Sequence, residues 1–140
     1  MSEKITDDEK ILIKSAMKAM KNAYILWGFP VGAAVLAEDN KVYEGCNVES
    51  WISGLGECAE RCAINHAVLH GNRRIKKMAV VTEDKNAKEF IPCGVCLQHI
   101  SDFAFPEMKI IMAKIKDGRI LLDSVNVKTV KELFPFSYKK

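Results

Sequence analysis

Two short cysteine motifs far apart in the chain, Cys58-Ala59-Glu60-Arg61 and Pro92-Cys93-Gly94-Val95-Cys96, constrain the fold more than any other feature. A C-x-x-C pair is half of a zinc site and needs further ligands from elsewhere in the fold. A chain that uses both motifs must bring Cys58 to Cys93 and Cys96. Three protein ligands with one open position is the pattern of catalytic zinc, whereas structural zinc takes four. Glu60, two residues past the first cysteine, is placed to handle the protons of a metal-activated water. The structural alternative needs a fourth ligand, for which Cys62 and His99 are the candidates. It leaves Glu60 without a task.

The flanking sequence predicts where these motifs sit. Thr6 and Glu9 form a capping box for a first helix reaching about Ala23, with Leu12, Ala16, Ala19, Met20 and Ala23 on one face. Val31 to Leu36 reads as a buried strand, Asp39-Asn40 as a turn, and Lys41 to Cys46 as the return strand. A Ser- and Gly-rich loop leads to a helix from about Cys58 to His70. Met78 to Thr82 is β-rich, and Pro92 precedes a short helix from about Cys93 to Phe103. Strands are expected at Lys109 to Ala113 and Ile120 to Leu122, either side of Asp117-Gly118, and a last helical piece at about Val127 to Leu133. This alternation predicts one α/β domain over residues 1–140, a three-layer α/β/α sandwich on a mixed central sheet. Both cysteine motifs then open helices, where unpaired N–H groups and the helix dipole stabilise a thiolate. Pro92 fixes the approach and Gly94 lets the backbone pass close to a metal.

Composition narrows the function classes. A net charge of +3 in 140 residues does not give the basic stripe of a nucleic-acid binder. The run Arg73, Arg74, Lys76, Lys77 reads as a solvated face. No apolar run approaches the ~20 residues of a membrane span, and the N-terminus lacks the apolar core of a signal peptide. Five cysteines, three with a better use than disulfides, point to a reduced, cytoplasmic protein. Cys58, Cys62, His66 and His70 recur every fourth residue, but such a stripe drifts by about 40° per step around a helix. Cys62 and Cys46 therefore read as packing residues, His66 and His70 as remote from the metal, and Met17, Met20 and Met78 as core. Trp27 and Trp51 are open to three readings: base stacking, core or a subunit contact.

With these residues in place, the chain resembles the small homo-oligomeric cytidine deaminases. The resemblance runs over roughly residues 24–138. It is carried by Phe29-Pro30-Val31-Gly32-Ala33-Ala34, Gly45-Cys46-Asn47-Val48-Glu49, Cys58-Ala59-Glu60-Arg61 and Pro92-Cys93-Gly94-Val95-Cys96-Leu97-Gln98. Blasticidin deaminases of the same superfamily share the zinc motif, with a loop before the first cysteine that looks shorter.

The resemblance implies that Cys58, Cys93 and Cys96 ligate zinc (Zn2+) and that Glu60 shuttles protons. Phe29 would pack beside the pyrimidine ring, Asn47 and Glu49 would bind the sugar hydroxyls, and the Ala59 backbone would read the polar edge of the base. Arg61 is expected behind the thiolates, offsetting their charge. The implied reaction is hydrolytic deamination of cytidine or deoxycytidine. The partner would be a small pyrimidine nucleoside, the assembly a homotetramer, and Tyr138 would fall near a pocket shared between subunits. Two alternatives stand beside it: deamination of a modified cytosine such as blasticidin S or an N4-substituted nucleoside, and a non-enzymatic zinc-stabilised module. Several positions depart from the family pattern. Leu26-Trp27-Gly28 replaces a Tyr-Ser pair, Ser50 an asparagine, Ser53 a tyrosine and Leu97 an arginine. These departures leave the exact substrate open.

Overall fold

The computed structural model describes residues 5–84 and 90–139. It runs α1 (Asp7–Met20), β1 (Val31–Ala37), β2 (Val42–Cys46), α2 (Ala59–Leu69), β3 (Ile75–Thr82), α3 (Gly94–Phe103), β4 (Lys109–Lys116), β5 (Arg119–Thr129) and α4 (Val130–Leu133). The strands form one sheet in the order β2-β1-β3-β4-β5. β3 and β4 are parallel and the other neighbours antiparallel, so the sheet is mixed as expected.

Strand residues alternate between two cores, as a period of two requires. Val31, Ala33 and Val35 of β1, Met78 and Val80 of β3, and Ile110 and Met112 of β4 face Ala63, Ile64 and Ala67 of α2 and Ile100 of α3. Ala34, Ala79, Val81, Ile111 and Ala113 face Leu12, Ile13, Ala16 and Met20 of α1. Helices thus cover both faces, giving the α/β/α sandwich. Two glycines set how closely they approach. A Cβ on Gly32 would stand 1.9 Å from the Ala16 carbonyl oxygen, and one on Gly45 would stand 2.4 Å from Ala63 N. The first lets α1 lie directly on β1. The second seats α2 on β2 and so fixes where Cys58 emerges.

The C-terminal third departs from expectation. β5 runs to Thr129, beyond the expected end at Leu122, and α4 starts at Val130 rather than about Val127. Lys109 pairs with Thr129 and Ile111 with Val127, across a register shift between Met112 and Lys114. There the Lys114 N–H donates to Ser124 Oγ at 2.8 Å, so a hydroxyl carries the ladder through the irregularity. The true helix start is marked by Thr129 and Glu132, a second capping box of the kind that opens α1. At the other end, α1 stops at Met20, short of Ala23.

The basic run after α2 is engaged within the fold. Arg73 Nη1 donates to the Val68 and Asn72 carbonyls, and Lys76 Nζ donates to Asn40 Oδ1. The Arg74 guanidinium lies 4.4 Å from the centre of the Phe105 ring. Lys77 Nζ reaches Glu9 Oε2 at 3.0 Å, tying α1 to β3. Glu9 is buried, and its other oxygen accepts the Thr6 N–H. Burial pushes this carboxyl up, but the hydrogen bonds from Thr6 and Lys77 and the charge of Lys77 outweigh it and hold the pKa below its ordinary 4.5. A depressed carboxylate stabilises the fold above its unfolded pKa and ceases to as pH falls through the folded value. Glu9→Gln is therefore expected to cost ~1–2 kcal/mol at pH 7. That cost should shrink below the ordinary carboxylate range, as read by urea unfolding at the two pH values.

Candidate metal centre and pocket

The two helices on one face of the sheet, α2 and α3, bring the cysteines together. Cys58 is the N-cap of α2, Cys93 is the N-cap of α3, and Cys96 lies in the first turn of α3. Their three sulfurs all lie within 4.8 Å of one another. Thiolates around a tetrahedral zinc at its usual bond length stand about 3.8 Å apart, so a small closure of the trio fits the ion. Among the described residues this is the only such group of metal-ligating side chains. Neither fourth-ligand candidate joins the trio. His99 Nε2 pairs with Asn65 Oδ1 at 2.9 Å, and burial pushes the Cys62 thiol up to about 11. His66 and His70 pack around Tyr43 with ring centres 5.1–5.2 Å apart, and His66 Nδ1 meets the Glu44 carbonyl at 3.1 Å.

The charge on the trio also calls for a cation. A hydrogen bond from Cys96, then the hydrogen bond and charge of Arg61, pull Cys58 down to about 5. Donating that bond, together with burial, pushes the Cys96 thiol well up. Without a metal the site supports a thiolate at Cys58 and a proton on Cys96. Three thiolates coexist only around a positive ion, which suits zinc. Arg61 supplies part of the offset. Its Nη2 donates to Cys58 Sγ at 3.6 Å while Nη1 pairs with Glu57 at 3.2 Å. The Cys58 hydrogen bond raises its own pKa further.

A cavity of about 470 Å³ opens over Cys58 and Cys93. Glu60 lines it yet is only 3% exposed. Burial first, and repulsion from Cys58 second, push its carboxyl up to about 7 against the pull of its own backbone N–H and of Arg61. Such a carboxyl is poised to take or give a proton near neutral pH. Ala59, Phe29, Asn47 and Glu49 also line the cavity, whereas Cys96, Arg61 and Tyr138 do not.

Asn47 and Glu49 do something their sequence pattern did not announce. Asn47 Oδ1 accepts the Val31 N–H at 2.9 Å and its Nδ2 donates to the Phe29 carbonyl at 2.9 Å, bracketing Phe29-Pro30. Glu49 Oε1 accepts the N–H groups of Leu26, Trp27 and Gly28. These bonds, led by Trp27, hold its carboxyl below the usual range. Both side chains therefore build the wall that carries Phe29. The opposite wall, Phe90 and Ile91, was not singled out, although its place just ahead of Pro92-Cys93 is a signal.

Of the departures from the family pattern, Gly28 lines the cavity, whereas Leu97, Ser50 and Ser53 do not. Leu97 is buried in the core under α2 and α3, Ser50 Oγ accepts the Ile52 N–H at 3.1 Å, and Ser53 is exposed. Trp27 and Trp51 meet edge to face at 5.2 Å, are 62% and 75% exposed, and so are not core.

Comparison with known proteins adds four findings. Residues 6–112 match the family model for the cytidine and deoxycytidylate deaminase zinc-binding region. The chain is 37% identical over 134 residues to the cytidine deaminase of Sporosarcina psychrophila, covering 95% of this chain and 93% of that one. The crystal structure of cytidine deaminase from Burkholderia pseudomallei superposes with a TM-score of 0.81 at 32% identity, over 96% of this chain and 100% of that one. The blasticidin-S deaminase of Bacillus cereus is 27% identical over 116 residues, 79% of this chain and 77% of that one.

The donor set predicts about one zinc per chain in the purified protein. Cys96→Ala, which removes the buried ligand, should abolish retention of the metal, measured by elemental analysis after gel filtration.

Proposed function

The chain belongs to the cytidine and deoxycytidylate deaminase family, and on that footing we propose that it hydrolyses cytidine or deoxycytidine to the uracil nucleoside and ammonia. The observation that carries this reading is Glu60, a buried carboxyl held near 7 on the floor of a cavity that also exposes the thiolate site. Zinc, when bound by Cys58, Cys93 and Cys96, supplies a Lewis acid that makes water acidic enough to attack near neutral pH.

The side chains do the rest. The Glu60 carboxylate takes a proton from the attacking water and passes it to N3 of the pyrimidine as C4 gains oxygen. Glu60 then moves the remaining proton from the new C4 hydroxyl to the exocyclic amine, the C4–N4 bond breaks as the C4 carbonyl forms, and ammonia leaves. Arg61 positions Cys58 and balances its charge. Phe29 packs on the ring, and the Ala59 backbone with Glu60 reads its polar edge. Glu49 Oε2 takes part in none of the three bonds that hold the 26–28 loop, so it is assigned with Asn47 to the sugar hydroxyls.

The lining favours a nucleoside over a nucleotide. Among the described residues it carries Glu49, Glu57, Glu60 and Asp84 and no lysine or arginine, a poor setting for a phosphate. The assembly we propose is a homotetramer whose subunits cover the exposed Trp27, Trp51, Ile52 and Ile91 and share residues at the mouth. No described helix is long and apolar enough to cross a membrane. A thiolate-held metal suits a reducing compartment, so the assigned location is the cytoplasm.

Glu60→Ala should keep zinc and fold yet lose at least ~10²–10⁴-fold in kcat. Unchanged turnover would place the proton carrier elsewhere. The substrate is tested with cytidine, deoxycytidine, cytosine and blasticidin S. A site that sets two polar groups against a sugar leaves them unpaired with free cytosine, so nucleosides should win by at least about tenfold in kcat/KM. Glu49→Gln keeps an acceptor for the loop but loses the carboxylate. It should raise KM for cytidine by about tenfold and leave cytosine nearly unaffected. A wide margin for blasticidin S would retain zinc deaminase chemistry and overturn the nucleoside assignment.

A further inference from the structure

The far end of α2 carries two histidines that the proposed deamination does not use. His66 lies in the last turn of the helix and His70 is its C-cap. Four residues apart, they share one helix face, and both are exposed. Their ring centres stand 5.1 Å apart. Two imidazoles that hold one metal through nitrogens at about 2.1 Å have ring centres about 4.5–5.3 Å apart, from octahedral to tetrahedral angles. The pair therefore has the spacing of two ligands to a common ion.

The surroundings leave nitrogens free for that purpose. The Glu44 carbonyl can only accept, so His66 Nδ1, 3.1 Å from it, carries the hydrogen. In the neutral ring Nε2 then keeps the lone pair. Ligating histidines are generally held in this way, through the nitrogen that does not bind the metal. Among the described residues the His70 ring makes no hydrogen bond, and it lies on the Tyr43 ring with centres 5.2 Å apart. Tyr43 is a firm support. It is buried, its hydroxyl donates to Asp39 Oδ2 at 2.5 Å, and Asn72 Nδ2 donates to the same oxygen at 3.1 Å. Imidazoles resting on a fixed ring lose little freedom when a metal joins them.

We propose that His66 and His70 form a second metal site, which takes a borderline divalent cation of the zinc, nickel and copper class. Imidazole selects that class over magnesium and calcium, which take oxygen ligands. No third histidine, cysteine or carboxylate joins the pair among the described residues, so water fills the remaining positions. The site differs in kind from the cysteine trio: two neutral ligands at the surface, about 12 Å or more along α2 from Cys58. Its metal exchanges with solvent and is no part of the deamination. A bound ion closes the last turn of α2 and, through the Glu44 carbonyl, strengthens the hold of that helix on β2.

The test uses the zinc-loaded full-length protein, Ni2+ as the probe, and the variants His66→Gln and His70→Gln. His66→Gln keeps a donor for the Glu44 carbonyl. In equilibrium dialysis the wild type should take up one Ni2+ per chain beside its zinc, and excess Ni2+ should raise its Tm. Each variant should lose both the nickel and the Tm response, with the zinc at the cysteines unchanged. Nickel retained at full stoichiometry by either variant, or none taken up by the wild type, would overturn the proposal. A second measurement needs no substitution. Cu2+ binds such ligands more tightly than Ni2+, and its electron paramagnetic resonance spectrum counts the nitrogens attached to it. Two nitrogens are expected on the wild type, and a spectrum showing one or none overturns the site. Neither measurement reads turnover, so failure here leaves the deaminase reading standing.

Discussion

Three sulfurs from two helices lie within 4.8 Å of one another, so close that their thiolates would repel without a cation between them, and much of the architecture answers to that. Cys58 and Cys93 each stand at a helix N-cap, where backbone N–H groups favour the anion. The two helix starts must converge, and the sheet makes them do so. Parallel β3 and β4 are joined by the crossover containing α3, while α2 is seated on β2 by the absence of a side chain at Gly45. Binding sites at the C-terminal ends of parallel strands follow from the same geometry in many α/β folds.

The electrostatics around the trio are graded rather than uniform. Arg61 faces the thiolates from the side away from the cavity and is itself steadied by Glu57. Glu60, one residue earlier in the same helical turn, feels the thiolate as a repulsion that adds to its burial. Adjacent residues of one helix thus carry opposite duties: a cation that keeps Cys58 ionised, and a carboxyl held near neutrality. Shifting α2 along its axis would spoil both at once.

How much of this was legible in the sequence depends on how local each cause is. The cysteine spacing, the Thr6–Glu9 capping box and the Asp117-Gly118 turn are patterns within a few residues, and the structure bears them out. The Thr129–Glu132 box was equally local, and the alternation of Val125 and Val127 before it is that of a strand, yet the expected helix start at about Val127 passed over both. The long-range hydrogen bonds were not legible. Nothing near Glu49 announces that its carboxylate gathers the N–H groups of Leu26, Trp27 and Gly28, and nothing near Gln98 points to Tyr138. Leu97 looked like a pocket residue from family pattern, yet helical phase turns it into the core.

The loop that carries Phe29 leaves one further mark on the molecule. A Cβ at position 28 would fall 2.2 Å from Glu49 Oε2, so any side chain there makes the carboxylate turn, and that carboxylate is the one whose other oxygen holds the loop. Positions 28 and 49 are therefore a single unit of variation. A larger residue at 28 has to arrive with a shorter or reoriented one at 49, and either change alone meets a clash or an unpaired loop. Mutational drift around this pocket would favour paired steps there, since a change at either position moves the carboxylate that the other depends on.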